Sequence, residues 1–283
     1  MADTALYDAI LARRSVRRYQ PESLDSVTQA QVREIIAQTR PLLPANQFAV
    51  LQRDVTDREE LMAALGAYGR IVSPPHYLVP YLLGDEFPLT DLGYRVEQIA
   101  VRLTALGIGT CYIGCLGREE AVRRRFALPP EARIGAFLIY GRPSEAFLDR
   151  TVNRIMYVSA GAHNKLPIER ILSIGQWGTV ASPPADLVPL AQAARHAPSA
   201  VNAQPWRLLW RDGKLYLALT RWNPKYAMFQ EYALYDGGIC MGNISLTLEA
   251  LGRKGEWRML EEDQADLPPH PQSLRPLAAL ELA

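Results

Sequence analysis

Four arginines surround a serine near the start of the chain, in the segment 13–18, which reads Arg-Arg-Ser-Val-Arg-Arg. A guanidinium carries paired N–H donors that match two oxygens of a phosphate, and a serine hydroxyl adds another donor. The segment therefore predicts a site for a phosphate-bearing ligand. A solvated helix end or a basic targeting patch are the alternatives that these residues leave open.

Two further segments have the composition of ligand-contacting loops. Residues 197–206 read Ala-Pro-Ser-Ala-Val-Asn-Ala-Gln-Pro-Trp, and their small residues and side-chain amides suit contact with a flat polar ring. Residues 106–114 read Leu-Gly-Ile-Gly-Thr-Cys-Tyr-Ile-Gly, a loop in which backbone N–H groups can approach a ligand. Taken alone, the first is also compatible with a helix end that leads into a core strand. The second is also compatible with a helix cap followed by a strand.

A long, diverged repeat organises the elements that must position these segments. Asp91–Gly107 and Asp236–Gly252 are related by a shift of 145 residues and are identical at seven of seventeen positions. Both are predicted helices, because apolar residues recur at helical spacing and a glycine stands at each C-cap. Glycine inside a helix lowers its stability. The pair Gly238 and Gly242 therefore predicts that another backbone approaches this helix closely.

The remaining elements follow one plan in each half, with repeats expected at 1–156 and 166–283 and an ordered join over Tyr157–Pro167. The patterns predict helices at Thr28–Thr39, Thr56–Leu65, Arg118–Phe126 and Asp186–His196. They predict strands at Phe48–Gln52, His76–Leu83, Thr110–Ile113, Ile134–Tyr140, Arg207–Arg211, Leu215–Thr220 and Pro276–Leu282. The fold class expected from this order is α+β.

Together with residues 140–143 (Tyr-Gly-Arg-Pro), the three segments resemble the nitroreductase family of FMN enzymes over almost the whole chain. The Asn-x-Gln-Pro-Trp stretch at 202–206 is the most specific part of the resemblance. It implies a nitroreductase-like α+β fold with central helices and mixed or antiparallel sheets. Ordinary members of the family are homodimers with two FMN sites. Each site takes the arginine–serine segment from one subunit and the Asn-x-Gln-Pro-Trp loop from the other.

This chain departs from that pattern in a complementary way. Its first half keeps the arginine–serine segment, but the corresponding loop at 40–48 has become Arg-Pro-Leu-Leu-Pro-Ala-Asn-Gln-Phe. Its second half keeps the loop, but the opening segment at 171–178 reads Ile-Leu-Ser-Ile-Gly-Gln-Trp-Gly and has lost the arginines. We therefore expect a fused pseudo-dimer with one FMN site between its halves, for which a monomer suffices.

The resemblance also implies roles for individual residues. Arg13, Arg14 and Ser15 would hold the FMN phosphate, with Arg142 as a weaker candidate. Arg17 would lie near N1 and O2 of the ring, where a fixed cation stabilises reduced flavin and raises its reduction potential. Residues that would approach the ring and ribityl chain from the other half are Pro198, Ser199, Ala200, Asn202 and Gln204. Residues expected along the N5 edge are Ile113 and Gly114.

The expected function is an FMN-dependent oxidoreductase that moves hydride from NAD(P)H to an electron-poor nitroaromatic or quinone acceptor. The flavin carries this chemistry, so no side chain is expected as a nucleophile or metal ligand. Aromatic residues that could line the substrate pocket, with core packing as the alternative, are Tyr226, Phe229, Tyr232 and Tyr235. Alternative functions are a non-catalytic FMN carrier, flavin-dependent oxidation without NAD(P)H, and a cofactor-free protein that binds a partner through the basic segment.

Amino-acid composition and charge limit the classes of protein to which the chain could belong. The chain has 283 residues, of which 48% are hydrophobic and 22% charged, with a net charge of +1. These values are typical of a globular protein and give no global field that would favour nucleic acid or an anionic membrane. Three cysteines, Cys111, Cys115 and Cys240, form neither a disulfide framework nor, with so few neighbouring histidines, a zinc site. No apolar run reaches the ~20 residues of a membrane span, so a cytoplasmic protein is expected.

Overall fold

The computed structural model describes residues 4–159, 164–262, 264 and 267–282. Its helices are α1 (Thr4–Ala12), α2 (Ser26–Ala37), α3 (Arg58–Leu65), α4 (Pro88–Ala105), α5 (Glu119–Phe126), α6 (Phe147–Ser159), α7 (Ile168–Ile171), α8 (Val188–His196) and α9 (Tyr232–Ala250). Its strands are β1 (Gln47–Asp54), β2 (His76–Leu83), β3 (Gly109–Gly114), β4 (Ala136–Gly141), β5 (Leu172–Ile174), β6 (Trp206–Arg211), β7 (Lys214–Thr220), β8 (Gly255–Met259) and β9 (Leu274–Leu282). Short 3-10 helices lie at Gly66–Arg70, Ala200–Asn202 and Pro224–Tyr226.

The two halves build the same sheet twice. Strands of the first half lie in the order β1-β2-β4-β3, and four strands of the second half lie in the matching order β6-β7-β9-β8. All of these neighbours pair antiparallel, and in both halves the long helix, α4 or α9, follows the second strand of the set. The short strand β5 adds to the second sheet in parallel with β6. The structure therefore has the expected α+β architecture of two tandem repeats.

Helices α4 and α9, the two copies of the repeated segment, cross at the centre of the molecule through glycines. A Cβ atom on Gly238 would collide with the carbonyl oxygen of Thr90, and one on Gly93 would collide with that of Tyr235. The same shift of 145 residues relates the two glycines and the two carbonyls. The contact is thus reciprocal, as in a two-fold dimer, and the close backbone approach predicted at Gly238 is confirmed.

Replacing Gly238 with alanine should lower the free energy of unfolding by about 2–3 kcal/mol, because neither backbone can move away from the new methyl group. Gly237→Ala is the matched control in the same helix, since its new methyl would meet only the flexible ends of Leu277 and Leu219. Urea denaturation of both variants tests this. Equal stability of the two would show that the helices do not cross at Gly238.

Most predicted elements are confirmed within a few residues, and the departures have local causes. Strand β9 begins at Leu274 rather than at Pro276, because a register shift in its pairing with β7 at Leu217/Ala218 accommodates a residue without an N–H. The sequence patterns missed α1, α6, α7, β5 and β8. Of the predicted join, Tyr157–Ser159 belongs to α6 and 160–163 lie outside the described residues. The repeat boundaries at 156 and 166 stay predictions.

The three cysteines are buried and free, as core thiols. Within the described part of the chain, no helix combines the length and apolar character needed to cross a membrane.

Candidate functional site

The three segments singled out from the sequence meet at one cavity of about 1420 Å³. The first half contributes residues 13–17, 111–114 and Arg142 to its wall, and the second half contributes residues 198–202 together with side chains of α9. The predicted arrangement, with one ligand-binding segment from each half, is therefore present as a single space between the repeats.

The arginine–serine segment is an extended strand-like stretch, so the alternative of a solvated helix end is wrong. Helix α1 ends at Ala12, and the next residues run beside β3, where Ser15 pairs with Thr110 and the N–H of Val16 donates to the Thr110 carbonyl at 2.9 Å. The side-chain oxygen of Asn153 on α6 accepts from the N–H groups of Arg17 and its neighbour at 2.9 and 3.1 Å. The segment is thus fixed on both sides, which aims its side chains into the cavity.

Arg13 places a buried cation at the floor of the cavity. Its side chain is 5% exposed, and its Nε lies 3.9 Å from Oε1 of the fully buried Glu97 on α4. The Tyr112 hydroxyl donates to Oε2 of Glu97 at 2.6 Å. Burial raises the pKa of Glu97 to about 7, and the nearby Arg13 opposes that rise.

Some arginine N–H groups at the cavity form no hydrogen bond within the described structure. This observation tests whether an anionic cofactor fits the cavity. Arg13 Nε, Arg13 Nη1 and Arg17 Nη1 are buried and have no hydrogen-bond partner among the described residues. A buried N–H without a partner carries a desolvation penalty that a bound acceptor removes. The donor set and the size of the cavity therefore fit a phosphate-bearing ligand with a ring, such as FMN.

The loop at 198–204 is held in a strained conformation by Asp236 of α9. Val201, Asn202 and Gln204 all have positive φ, near +50°, a region that L-residues adopt at a cost. The buried Asp236 carboxylate accepts from the Ala200 N–H at 2.9 Å and from the Tyr226 hydroxyl at 2.7 Å. These bonds pin the loop against the cavity, where its backbone and small side chains remain accessible to a ligand.

The amide side chains of this loop bind the join between the halves. The Asn202 and Gln204 amides both donate to the Asn164 carbonyl at 3.1 Å, and Gln204 Oε1 accepts from the Leu166 N–H at 2.8 Å. Asn202 still lines the cavity, whereas the Gln204 side chain is buried away from the lining. Of the predicted ring contacts, Gln204 is the one that the structure does not bring to the cavity.

Lys165 is a cavity residue that the sequence did not indicate. It lies in the join, its Nζ donates to the Ala197 carbonyl at 2.7 Å, and it lines the cavity between Arg13 and Asp236. Burial lowers the pKa of Lys165 to about 7. Lys165 is held there because the side-chain amides of the loop form hydrogen bonds to its two neighbours, Asn164 and Leu166. Such a contact between distant segments leaves no pattern in the local sequence.

Another part of the cavity wall is formed by tyrosines and a glycine. Tyr232 lies against the end of β3, where its Oη accepts from the Leu116 N–H at 3.1 Å and leaves no room for a Cβ at Gly114. Tyr68 also lines the cavity, from the 3-10 helix Gly66–Arg70, and was not anticipated. Tyr226 and Phe229 support Tyr232 through ring contacts at 6.3 and 6.4 Å and do not themselves form the lining.

Side chains of the protein fill the corner of the first half that corresponds to the Asp236 corner of the second half. The Asp91 carboxylate, which corresponds to Asp236, accepts from the Leu42 N–H at 3.0 Å and pairs with Arg95 at 2.9 Å. Arg95 also donates to carbonyls of the 42–47 loop at 3.3 and 3.2 Å, so it fills this corner. Residues 174–176 line a separate groove with 210–212, in which no residue of the 42–47 loop takes part.

Asp236→Asn should change how stability depends on pH. Burial raises the pKa of Asp236 from 3.8 to about 7, so the wild-type protein loses stability as pH rises toward 7 and this carboxyl ionises in the folded state. Asparagine keeps an oxygen for both donors and cannot ionise. Relative to wild type, the variant should therefore gain about 2–3 kcal/mol of unfolding free energy between pH 5 and pH 8.

Urea denaturation of the FMN-free protein at the two pH values measures this change. Glu120→Gln is the control, because that carboxylate is 79% exposed with only Arg124 at 3.8 Å. A parallel pH dependence of wild type and Asp236→Asn would contradict the buried, destabilised carboxylate.

A comparison with models of known protein families shows to which family the chain belongs. Residues 5–248 match the model of a family described as "Putative TM nitroreductase". The chain belongs to this nitroreductase family. It is accordingly an oxidoreductase by family.

A search of solved structures finds nitroreductases, one of which shows the same fold over nearly the whole chain. The chain is similar to a structure described as a "putative nitroreductase" from Thermotoga maritima, with 18% identity, a TM-score of 0.59, and coverage of 98% of this chain and 93% of that one. An FMN-dependent nitroreductase from Clostridium difficile matches at 17% identity and a TM-score of 0.41, covering 49% of this chain and 87% of that one. NfrA2 of B. megaterium matches at 20% identity and a TM-score of 0.43, covering 50% and 67%. No curated protein matches the chain.

Proposed function

We propose that this nitroreductase-family protein is an FMN-dependent oxidoreductase that passes hydride from NAD(P)H to an electron-poor acceptor of the nitroaromatic or quinone type. The observation that carries the proposal is the cavity between the halves. Buried arginine donors with no hydrogen-bond partner among the described residues line it from the first half, and the strained loop 198–202 lines it from the second half. When bound there, FMN would supply the hydride-accepting and hydride-donating N5.

The phosphate end of the site would be built by the first half. Arg13, Arg14 and Ser15 line the cavity and offer two guanidinium groups and a hydroxyl to phosphate oxygens. Arg142 also lines it, but it is half exposed and lies 3.7 Å from Asp25, so we assign it a weaker contribution. The Arg13 donors, which have no hydrogen-bond partner among the described residues, would thus become satisfied.

The ring would lie between the two halves. Arg17, with one buried nitrogen unpartnered, would face N1 and O2 and favour the reduced flavin electrostatically. The end of β3 would offer backbone at Ile113 and Gly114 to the N5 edge. From the second half, Pro198, Ser199, Ala200 and Asn202 would contact the ring and ribityl chain, while Gln204 would act indirectly by holding the join.

The acceptor would bind against the aromatic wall. Tyr232 and Tyr68 line the cavity from opposite halves, with Phe229 and Tyr226 behind Tyr232. Aromatic faces stack favourably on flat conjugated molecules. This wall supports a planar, electron-poor acceptor without selecting one compound.

Anaerobic mixing of the purified, FMN-loaded protein with NADH or NADPH tests the proposal. Bleaching of the flavin absorption, followed by its return on addition of a quinone or nitroaromatic compound, is the expected result. A bound flavin that neither dinucleotide bleaches would favour oxidation chemistry without NAD(P)H or a flavin carrier. A protein that stays colourless with added FMN would refute the cofactor assignment.

A further inference from the structure

The cavity wall carries more positive charge than a flavin phosphate can balance. Of the described residues that line it, eight are arginine or lysine and two, Glu145 and Asp236, are acidic. One phosphate monoester brings a charge of about −1.5 to −2 at pH 7. Glu97 beside Arg13 and Asp25 beside Arg142 offset part of this charge, and the remaining cations suit a second anionic group in the same cavity.

Two of these cations lie on a different element from the arginine–serine segment. Arg150 and Arg154 lie one turn apart on α6, and both line the cavity and are exposed. Within the described residues, neither side chain takes part in an ion pair or hydrogen bond. By contrast, Arg13 is buried and paired with Glu97 at the cavity floor. Arg150 and Arg154 therefore remain available to a ligand that arrives from solvent.

Helix α6 is fixed in place, so the pair has a defined position. Asn153, between the two arginines, accepts from the backbone of Arg17 and Arg18. At the start of the helix the Ser144 hydroxyl donates to Asp149 at 2.7 Å, and the Ser144 N–H donates to the Arg18 carbonyl at 3.2 Å. These contacts hold a pair of free guanidinium groups at the rim of the proposed flavin site.

We propose that Arg150 and Arg154 bind the phosphate monoester on the adenosine ribose of NADPH and make NADPH the preferred donor over NADH. The inference rests on the proposed function and specifies its electron donor. Two guanidinium forks match the oxygens of a phosphate monoester, whereas NADH presents a neutral hydroxyl at that position. The pair would thus contribute to binding of one dinucleotide and little to the other.

The kinetic test compares the two donors in the FMN-loaded enzyme. In the double variant Arg150→Ala plus Arg154→Ala, the ratio of kcat/KM for NADPH to that for NADH should fall at least tenfold. Arg124→Ala plus Arg211→Ala removes the same charge from exposed arginines outside the cavity lining and should leave the ratio unchanged. If the ratio of kcat/KM for NADPH to that for NADH falls equally in both double variants, the effect is one of general charge and the proposal is overturned.

A binding test separates this inference from the proposed function. Adenosine 2′,5′-bisphosphate should bind the FMN-loaded protein at least tenfold more tightly than adenosine 5′-monophosphate in isothermal titration, and the Arg150→Ala plus Arg154→Ala variant should lose the difference. Equal binding of the two probes overturns the inference, even if both dinucleotides reduce the flavin. If neither dinucleotide reduces the flavin, the proposed function fails, and the probes still decide whether the arginine pair recognises the phosphate. Release of FMN by the double variant would assign the pair to the flavin phosphate and also overturn the inference.

Discussion

The double variant Arg13→Ala plus Ser15→Ala should lose FMN affinity by more than tenfold while remaining folded. Each charge-assisted hydrogen bond to a phosphate contributes about 1.5–3 kcal/mol, and every 1.4 kcal/mol is a factor of ten in the dissociation constant. The fold should survive because the buried Glu97 partner of Arg13 already has a pKa of about 7. Without the cation this carboxyl can take up a proton instead of remaining a buried, unpaired charge.

Fluorescence titration of the FMN-free protein with FMN measures the loss, and circular dichroism checks the fold. Arg18→Ala is the matched control, because it removes an arginine from the same segment that does not line the cavity. Arg13→Lys should recover part of the affinity by restoring a cation without the guanidinium fork. An unchanged dissociation constant in the double variant would remove the arginine–serine segment from the flavin site.

The features of the fold and of the candidate site that could be predicted from the sequence are those that local residue patterns or the internal repeat indicate. The close backbone approach at Gly238 followed from the glycines inside the second repeated helix, whereas the reciprocal contact at Gly93 became apparent only in the structure. The meeting of 13–18 with 197–206 followed from the resemblance of each half to a different part of one site. The first inference worked because glycines inside a helix report directly on backbone geometry, and the second rested on the family resemblance.

Residues missed by the sequence analysis owe their roles to contacts between distant segments. Lys165 enters the cavity because Gln204 and Asn202 hold its neighbours, and no periodicity marks it. Arg95 closes the second site by bonding a loop some fifty residues away. Neither contact has a signature along the chain. Similarly, the Asn-x-Gln motif suggested that the side-chain amides of Asn202 and Gln204 both contact the ring. In the structure, Gln204 instead forms hydrogen bonds to the join between the halves.

One FMN per chain is the expected stoichiometry, although the fold contains two repeats. A second flavin would need residues 174–176 and the 42–47 loop to share a cavity, and among the described residues no member of that loop lines the groove formed by 174–176. The Arg95 guanidinium is already paired with Asp91 and with carbonyls of that loop, so it is not free for a phosphate. A phosphate buried there without a cation would cost several kcal/mol. Asp91 and Arg95 thus hold the 42–47 loop in place, which is why we expect no second flavin.

The two halves should act on the same flavin. Asn202→Ala in the second half should weaken the flavin that the first-half variant Arg13→Ala plus Ser15→Ala releases, because Asn202 lines the cavity and holds the join beside it. Gln47→Ala, an exposed position in the closed second site, should leave FMN binding unchanged. Absorbance of the released flavin against protein concentration gives the ratio, and light scattering gives the mass. A saturating ratio near two, or two spectrally distinct flavins, would refute the single site. A monomer that retains one FMN supports it, since one chain then supplies both walls of the cavity.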